Sequence, residues 1–204
     1  MKKDSLVKTP SRLSKILMYL LIIGGVIGFI ASFVITIEKI ELIKNPAFVP
    51  SCNISPLISC GSVMITEQAS VFGFANSLIG IMSFAVLITI GMAMLAGASF
   101  KRWFWLGLEG GALFGVLFVT WLQYQTTFVI QALCPYCMVV WTVVIPVFVY
   151  TTLYNLEQGN ITTPPALKKA VAFLTRNHYN VVLVWYLIIL SVLLQHFWSY
   201  WVTL

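Results

Sequence analysis

The sequence is poor in charged residues, and this scarcity defines its class before any motif is considered. Only 9% of the 204 residues are charged, whereas 60% are hydrophobic. An average soluble chain carries about 25% charged residues, so this composition excludes a soluble globular protein. The chain has six acidic and twelve basic residues, so its net charge is +6. Whether that excess marks a nucleic-acid partner depends on where the basic residues lie.

Long apolar runs are what the chain has instead of charge. A bilayer span needs roughly 20 consecutive apolar residues, and five runs meet this length, at about 16–37, 76–96, 103–124, 135–154 and 179–200. The connections between them are short except for one loop, 38–75, so no room is left for a separate soluble domain. We therefore predict an all-α integral membrane protein with five transmembrane helices. Its basic N-terminus, 1–15, precedes a single membrane domain, 16–204.

The basic residues are confined almost entirely to one side of the predicted membrane domain. Only Lys39 and Lys44 lie on the other side. The remaining ten of the twelve are Lys2, Lys3, Lys8, Arg12, Lys15, Lys101, Arg102, Lys168, Lys169 and Arg176. Because cytoplasmic loops are enriched in Lys and Arg, this asymmetry places the N-terminus in the cytoplasm and loop 38–75 outside. The net charge is a signal of topology, and no nucleic-acid partner is expected.

Small residues recur at helical spacing in two of the predicted spans. Such stripes allow helices to approach closely in a membrane, so we expect tight helix packing at both. They are Gly24, Gly28 and Ser32 in the first span, and Gly107, Gly111 and Gly115 in the third.

Glu109 is the single acidic residue within the five predicted spans. It lies about two turns from Lys101, and a structural or snorkelling role is expected for it.

Cysteines are scarce, and their positions are selective. Cys52 and Cys60 lie in loop 38–75, while Cys134 and Cys137 lie where the fourth span begins, on the same predicted outer side. Disulfides form and persist outside the cytoplasm. Cysteines acting only as small buried hydrophobes would be scattered among the spans, but none lies in mid-span. Two structural disulfides remain an alternative, although a Cys-x-x-Cys bridge closes too small a ring to stabilise a fold by much.

A zinc site is a further alternative for the four cysteines. Structural zinc sites are usually built from two short chelating pairs. Here a Cys-x7-Cys pair, Cys52 and Cys60, stands with a Cys-x-x-Cys pair, Cys134 and Cys137. This spacing does not match the usual pattern, so no metal is expected.

The "CPYC" segment reads as the start of a helix. Pro135 suits the first helical position, which places Cys134 at the N-cap. The partial positive charge of a helix N-terminus favours a thiolate there. Cys137 and Trp141 follow on the same face of the helix. The indole of Trp141 either stacks on a flat ring or simply packs against other helices.

The ordered combination of "SCNISPLISCGSVM", "VFGFANSLIGI" and "CPYC" resembles the vitamin K epoxide reductase family. The resemblance covers most of residues 12–155 and is greatest for bacterial members that re-oxidise a disulfide-forming partner. It implies a four-helix bundle around a quinone near the outer membrane face. The fifth span matches an extra helix of the bacterial members.

The resemblance also implies roles for individual residues. Cys134 and Cys137 match the active-site pair, with Cys137 nearest the quinone, and Cys52 and Cys60 match a shuttle pair. The positions that match quinone-contacting or neighbouring residues are Asn76, Thr66 and Trp141. Asn76 corresponds to an asparagine that hydrogen-bonds a quinone oxygen, and Thr66 falls where the family has Ser or Thr. Trp141 replaces a tyrosine of the mammalian enzymes, which argues against vitamin K epoxide as substrate.

The function implied is that of a membrane disulfide-generating oxidoreductase. It would re-oxidise a thioredoxin-like (DsbA-like) protein outside the bacterial cytoplasmic membrane and pass the electrons to menaquinone or ubiquinone. Disulfide formation in exported proteins would follow. The chain stops at Leu204 without a thioredoxin-like domain, so the partner is expected to be a separate protein. Two alternatives are a quinone or quinone-epoxide reductase in its own right, and a non-catalytic membrane protein that binds thiols or metal.

Overall fold

The structure, a computed structural model, describes residues 11–202. Three of the basic residues that are predicted to lie on the cytoplasmic side, Lys2, Lys3 and Lys8, are outside this part of the chain. Within it, five helices are long and apolar enough to cross a membrane. The predicted all-α membrane fold with five spans is therefore confirmed.

The helices alternate in direction through the bundle. In chain order they are α1 (Arg12–Lys44), α2 (Cys60–Met64), α3 (Asn76–Leu95), α4 (Arg102–Tyr124), α5 (Pro135–Glu157), α6 (Lys168–Arg176), α7 (His178–His196) and α8 (Trp198–Val202). A π-helix, Gln125–Ile130, continues α4, and short 3₁₀ turns occupy Glu67–Ser70 and Pro165–Leu167. α1 extends beyond its predicted end at residue 37 because no helix-breaking residue occurs before Pro46, and the residue before a proline disfavours helix.

Helices α1, α3, α4 and α5 form the four-helix bundle, and α7 packs against α5 on its outside. α1 contacts both α3 and α5. The small residues of α1 allow these helices to approach closely. A Cβ added to Gly24 would lie 3.1 Å from Val143 Cγ1, and one added to Gly25 would lie 2.7 Å from Ile88 Cγ1. The predicted close packing of the stripe in the first span is confirmed.

The glycine stripe of α4 has a different surrounding from the one expected. A Cβ added to Gly107 or Gly111 would meet no atom within 4 Å, and Gly115 has only Val144 nearby, at 3.5 Å. All three glycines line a cavity that separates α3 from α4. The prediction of close helix packing is therefore wrong for α4. Glycine spacing produces a smooth helix face, and here that face borders a cavity.

A network of buried and partly buried polar side chains joins α4 to α5 at the end of the bundle remote from the cysteines. Thr152 Oγ1 donates to Glu109 Oε1 over 2.6 Å, and Asn155 Nδ2 donates to Glu109 Oε2 over 3.1 Å. Asn155 is fully buried; its amide nitrogen also lies 3.2 Å from the Trp105 carbonyl oxygen, and Asn160 Nδ2 donates to its oxygen over 2.9 Å. Both oxygens of the Glu109 carboxylate thus accept hydrogen bonds from α5.

Candidate active site

The four cysteines come together at one end of the bundle, which we call the cysteine end. The chain between α1 and α2 folds back onto the segment before α5, where Ile58 and Leu133 form a parallel bridge. Leu133 N donates to Leu57 O over 2.7 Å, and Ser59 N donates to Leu133 O over 3.0 Å. This bridge holds the loop that contains Cys52 against the start of α5.

Cys52 and Cys60 form a disulfide, with their Cα atoms 5.6 Å apart. Asn53 fixes the short loop between them, since its Oδ1 accepts from Gly61 N over 2.9 Å and from Ser59 Oγ over 3.2 Å. Only 4% of Cys52 and none of Cys60 is exposed. A thiol from another protein must therefore displace part of this loop to reach either sulfur.

Cys134 occupies the N-cap of α5 and Pro135 its first turn, as the sequence predicts. Cys134 Sγ accepts from the backbone N–H of Cys137 over 3.4 Å. A hydrogen bond from the Cys137 side chain lowers the pKa of the Cys134 thiol, with the backbone N–H groups of Cys137 and Tyr136 contributing and burial opposing. Cys134 is therefore the cysteine of this pair prepared to carry negative charge.

The two cysteine pairs are in contact through one sulfur of each. Cys134 Sγ lies 3.2 Å from Cys60 Sγ, although the two residues are 74 positions apart in sequence. Thiol–disulfide exchange requires attack of a thiolate on a disulfide sulfur. This separation therefore permits exchange between Cys134 and Cys60 without rearrangement of the backbone.

A cavity of about 610 Å³ adjoins this contact at Cys134 and is bordered by α1, α3, α4 and α5. Cys134, Cys137 and Trp141 all line it, so the predicted common face of Cys137 and Trp141 is turned toward one space. Most of the lining is apolar, and the cavity continues along α4 to Trp103. Its size and apolar walls suit a small planar molecule with a hydrocarbon tail.

Asn76 and Thr66 also line this cavity. Asn76 Nδ2 donates to Gln68 O over 2.7 Å, and its Oδ1 accepts from Val71 N over 3.2 Å. A primary amide has two N–H groups, so one is left for a ligand. Thr66 Oγ1 donates to Val63 O over 2.8 Å, which leaves its oxygen as an acceptor.

Two residues of this site were not identified from the sequence. Lys39 lines the cavity, and its ammonium donates to Ser70 Oγ over 2.6 Å and to Ala69 O over 3.3 Å. Glu38 is buried beside Cys52, with 8% of its surface exposed. The sequence predicts a loop from residue 38, whereas α1 continues to Lys44 and includes both residues. The uninterrupted segment up to Pro46 was the signal that would have placed them on α1.

Within residues 11–202, no group of three or more His, Cys, Asp or Glu side chains is arranged to hold a metal ion. Comparison with known families gives one match: the sequence model of the vitamin K epoxide reductase family matches residues 19–152. This range is more than half of the chain and contains all four cysteines, Asn76, Thr66 and Trp141. A search of curated proteins finds no match.

Proposed function

Since the chain belongs to the vitamin K epoxide reductase family, whose members are membrane thiol–quinone oxidoreductases, we propose that it oxidises a separate thioredoxin-like protein. In this proposal the Cys52–Cys60 pair takes electrons from the partner. The Cys134–Cys137 pair takes them from Cys60 and delivers them to a membrane quinone. The result is a supply of disulfides to exported proteins.

The observation that carries the proposal is the position of Cys134. Its sulfur lies 3.2 Å from Cys60, and the same residue lines the cavity. Cys134 is therefore the residue at which a disulfide in the loop and an acceptor in the cavity meet. Because Cys60 rather than Cys52 contacts Cys134, we assign Cys52 as the sulfur that the partner attacks.

The electron path follows from this order of sulfurs. A thiolate of the partner attacks Cys52, which forms a mixed disulfide and releases Cys60 as a thiolate. The second thiol of the partner then resolves the mixed disulfide and leaves Cys52 and Cys60 reduced. Cys60 attacks Cys134 of the oxidised Cys134–Cys137 pair, and Cys137 leaves as a thiolate. Cys52 then attacks Cys60, so the loop disulfide forms again and two electrons remain on Cys134 and Cys137.

The cavity residues fit a quinone. Menaquinone or ubiquinone accepts two electrons and two protons when it is reduced. The indole of Trp141 offers a flat face about one helical turn beyond Cys137 on α5, and the free N–H of Asn76 can donate to a ring oxygen. A donor of this kind acts most strongly on the charge that develops during reduction. The glycines of α4 leave room along this helix for the apolar tail of the quinone; they are Gly107, Gly111 and Gly115.

We further propose that the protein lies in the bacterial cytoplasmic membrane, with its N-terminus in the cytoplasm and the cysteine end outside. The support is the position of the basic residues. Arg12, Lys15, Lys101 and Arg102 lie at helix starts remote from the cysteine end. Exposed basic residues at that end agree with a cytoplasmic surface.

The test is quinol formation by the purified protein with a quinone and a reduced thioredoxin-like protein. We expect stoichiometric quinol with the wild type and none with Cys134→Ser. A partner variant that lacks its second thiol should attack the Cys52–Cys60 disulfide and remain joined to Cys52, with Cys60 released as a thiol, which mass spectrometry identifies. Trapping of the partner on Cys134 instead would reverse the two pairs, and quinol formation by Cys134→Ser would overturn the path.

A further inference from the structure

Glu38 is a buried carboxylate that lies against the reactive disulfide. Its Oε2 is 3.6 Å from Cys52 Sγ. Its Oε1 accepts from Ser51 N over 3.1 Å and also from the Ser51 hydroxyl. One oxygen is therefore fixed by the residue before Cys52, and the other faces the sulfur.

No cation offsets the charge of Glu38 in the part of the chain that is described. The adjacent Lys39 directs its ammonium to Ala69 and Ser70, and Lys44 pairs with Glu41 at 2.9 Å. A buried carboxylate without a cationic partner costs folding free energy. Packing alone does not account for this residue, because an uncharged side chain would satisfy Ser51 equally well.

We propose that Glu38 is a catalytic residue, the general base and general acid that moves the proton of Cys52 during disulfide exchange. The inference rests on the electron path proposed above. It concerns the one step of that path in which Cys52 acts as a nucleophile.

The step begins with Cys60 joined to Cys134 and with Cys52 as a thiol. Glu38 Oε2 accepts the proton of Cys52 as its sulfur attacks Cys60. The Cys52–Cys60 bond forms, the Cys60–Cys134 bond breaks, and the electron pair leaves on Cys134. Cys134 is suited to receive it, because hydrogen bonding within the pair lowers the pKa of its thiol. Glu38 is then neutral.

The same proton is returned in the next cycle. When the partner resolves its mixed disulfide with Cys52, Cys52 leaves as a thiolate and takes the proton from Glu38. The carboxylate is restored, and no proton is gained or lost at Glu38 over the cycle. A neutral Glu38 also removes a negative charge from the path of the incoming partner thiolate.

The surroundings of Glu38 keep it in place for this role. Ser51 Oγ lies 3.1 Å from the hydroxyl of Tyr136, which belongs to the "CPYC" turn. The titratable groups that face the carboxylate are thus Cys52 and, through Ser51, Tyr136. Cys134 also senses its charge, which opposes ionisation of that thiol. Lys39 is turned toward Ser70.

The test follows the two disulfides in protein freed of quinone, so it does not depend on the acceptor. Fully oxidised protein receives one equivalent of dithiothreitol in place of the partner, and the reaction is stopped with acid. Alkylation and mass spectrometry then give the amounts of the Cys52–Cys60, Cys60–Cys134 and Cys134–Cys137 disulfides with time. We expect Glu38→Gln to accumulate the Cys60–Cys134 species and to slow its decay at neutral pH by roughly 100-fold.

The pH profile distinguishes a base from a structural residue. In Glu38→Gln the decay should accelerate as the pH rises toward the ordinary pKa of a cysteine thiol, because Cys52 then ionises without help. In the wild type the decay should be much less dependent on pH over the same range. Equal slowing at every pH, or decay as fast as in the wild type, would overturn the proposal.

Two further variants complete the design. Glu41→Gln removes an exposed carboxylate from the same helix and should behave as the wild type. Glu38→Asp keeps the carboxylate but withdraws it from Cys52, so it should slow the decay while the wild-type pH profile is retained. Loss of that profile would contradict the inference. If the glutamine variant fails to fold, the aspartate variant tests the role of Glu38 in its place.

Wild-type protein that never forms the Cys60–Cys134 species would refute the electron path together with the role of Glu38. Exchange without quinol formation would refute only the quinone step.

Discussion

Helices α1 and α4 contain the same two features, a stripe of small residues and a carboxylate, and they use them in opposite ways. The glycines of α1 contact α3 and α5, whereas those of α4 border the cavity. Of the two carboxylates of α1, Glu38 faces a reactive sulfur, whereas the single carboxylate of α4, Glu109, joins two helices. A sequence pattern shared by two helices therefore does not specify a shared role.

The glycine stripes show what such a pattern does specify. Each requires that something large approaches the helix axis, because a side chain there would obstruct it. On α1 the approaching groups are Val143 at Gly24 and Phe84 at Gly28. On α4 that place is open space connected to Cys134 and Cys137, which is where the proposed quinone tail would lie.

The two carboxylates differ in what their second oxygen contacts. Both oxygens of Glu109 accept hydrogen bonds, from Thr152 and Asn155. Only one oxygen of Glu38 does so, and the other lies beside Cys52. A carboxylate with both oxygens satisfied is explained by stability, while one that faces a sulfur is available for proton transfer.

The largest expected effect comes from filling the contact between α1 and α3 at Gly25, which lies next to the stripe of α1. Gly25→Leu would drive its side chain into Ile88, whose backbone nitrogen is 3.3 Å from the position of the added Cβ. We expect a loss of about 3 kcal/mol in the free energy of unfolding, as for severe overpacking. Thermal unfolding in detergent, followed by circular dichroism, measures it.

Gly110→Leu is the matched control for that substitution. Gly110 lies on α4, where an added Cβ would meet no atom within 4 Å, and it is not part of the cavity wall. Its substitution should leave the unfolding temperature unchanged or slightly raised, because leucine is the better helix former. Equal losses at positions 25 and 110 would refute the contrast between the two helices.

The next largest effect concerns the network around Glu109. Asn155→Ala removes the three hydrogen bonds that its side chain makes with the Trp105 carbonyl, Glu109 Oε2 and Asn160 Nδ2. We expect a loss of about 2 kcal/mol in stability, with quinol formation per folded molecule retained. Thr89→Ala, which removes a hydroxyl bonded only to the backbone of its own helix, should cost much less. A large loss of activity in folded Asn155→Ala would assign chemistry to this end of the bundle.

A smaller effect is expected from filling the stripe of α4. Gly111→Leu places its side chain in the cavity. It should raise the KM for quinone about tenfold, equivalent to about 1.4 kcal/mol of binding, and leave exchange between the two cysteine pairs unchanged. Steady-state kinetics with varied quinone, beside Gly110→Leu, measures the difference. An unchanged KM would place the acceptor outside this cavity.

Much of the fold follows from local sequence. Apolar runs of sufficient length give the five spans, and a proline after Cys134 gives the start of α5. The glycine spacing indicates a close approach but not the approaching group, because that group belongs to another part of the chain or to a ligand. The end of α1 was misplaced because hydropathy falls at Glu38 while the helix continues to Lys44.

The site is less predictable from the residues than the fold. Family resemblance suggests which cysteines act together, but the contact between Cys60 and Cys134 joins residues 74 positions apart. This contact depends on the bridge between Ile58 and Leu133, which no periodic pattern of hydrophobic residues predicts. Glu38 cannot be identified from the sequence for a related reason. The residue that gives it a role is Cys52, which lies 14 positions later and comes next to it only when the loop is folded.

The smallest effect is expected from Glu109→Gln, and it brings the comparison of the two carboxylates to a direct test. The carbonyl oxygen of the new side chain can still accept from Thr152, while its amide must face Asn155, whose own amide has to adjust. We expect a loss of stability of about 1 kcal/mol and rates of disulfide exchange and quinol formation within about twofold of the wild type. The same substitution at Glu38 should slow closure of the loop disulfide roughly 100-fold. Measuring both variants by the same quenched alkylation assay removes differences in preparation. If Glu109→Gln slows exchange as strongly as Glu38→Gln, loss of charge anywhere in the bundle impairs the protein, and contact with the sulfur is not what distinguishes Glu38.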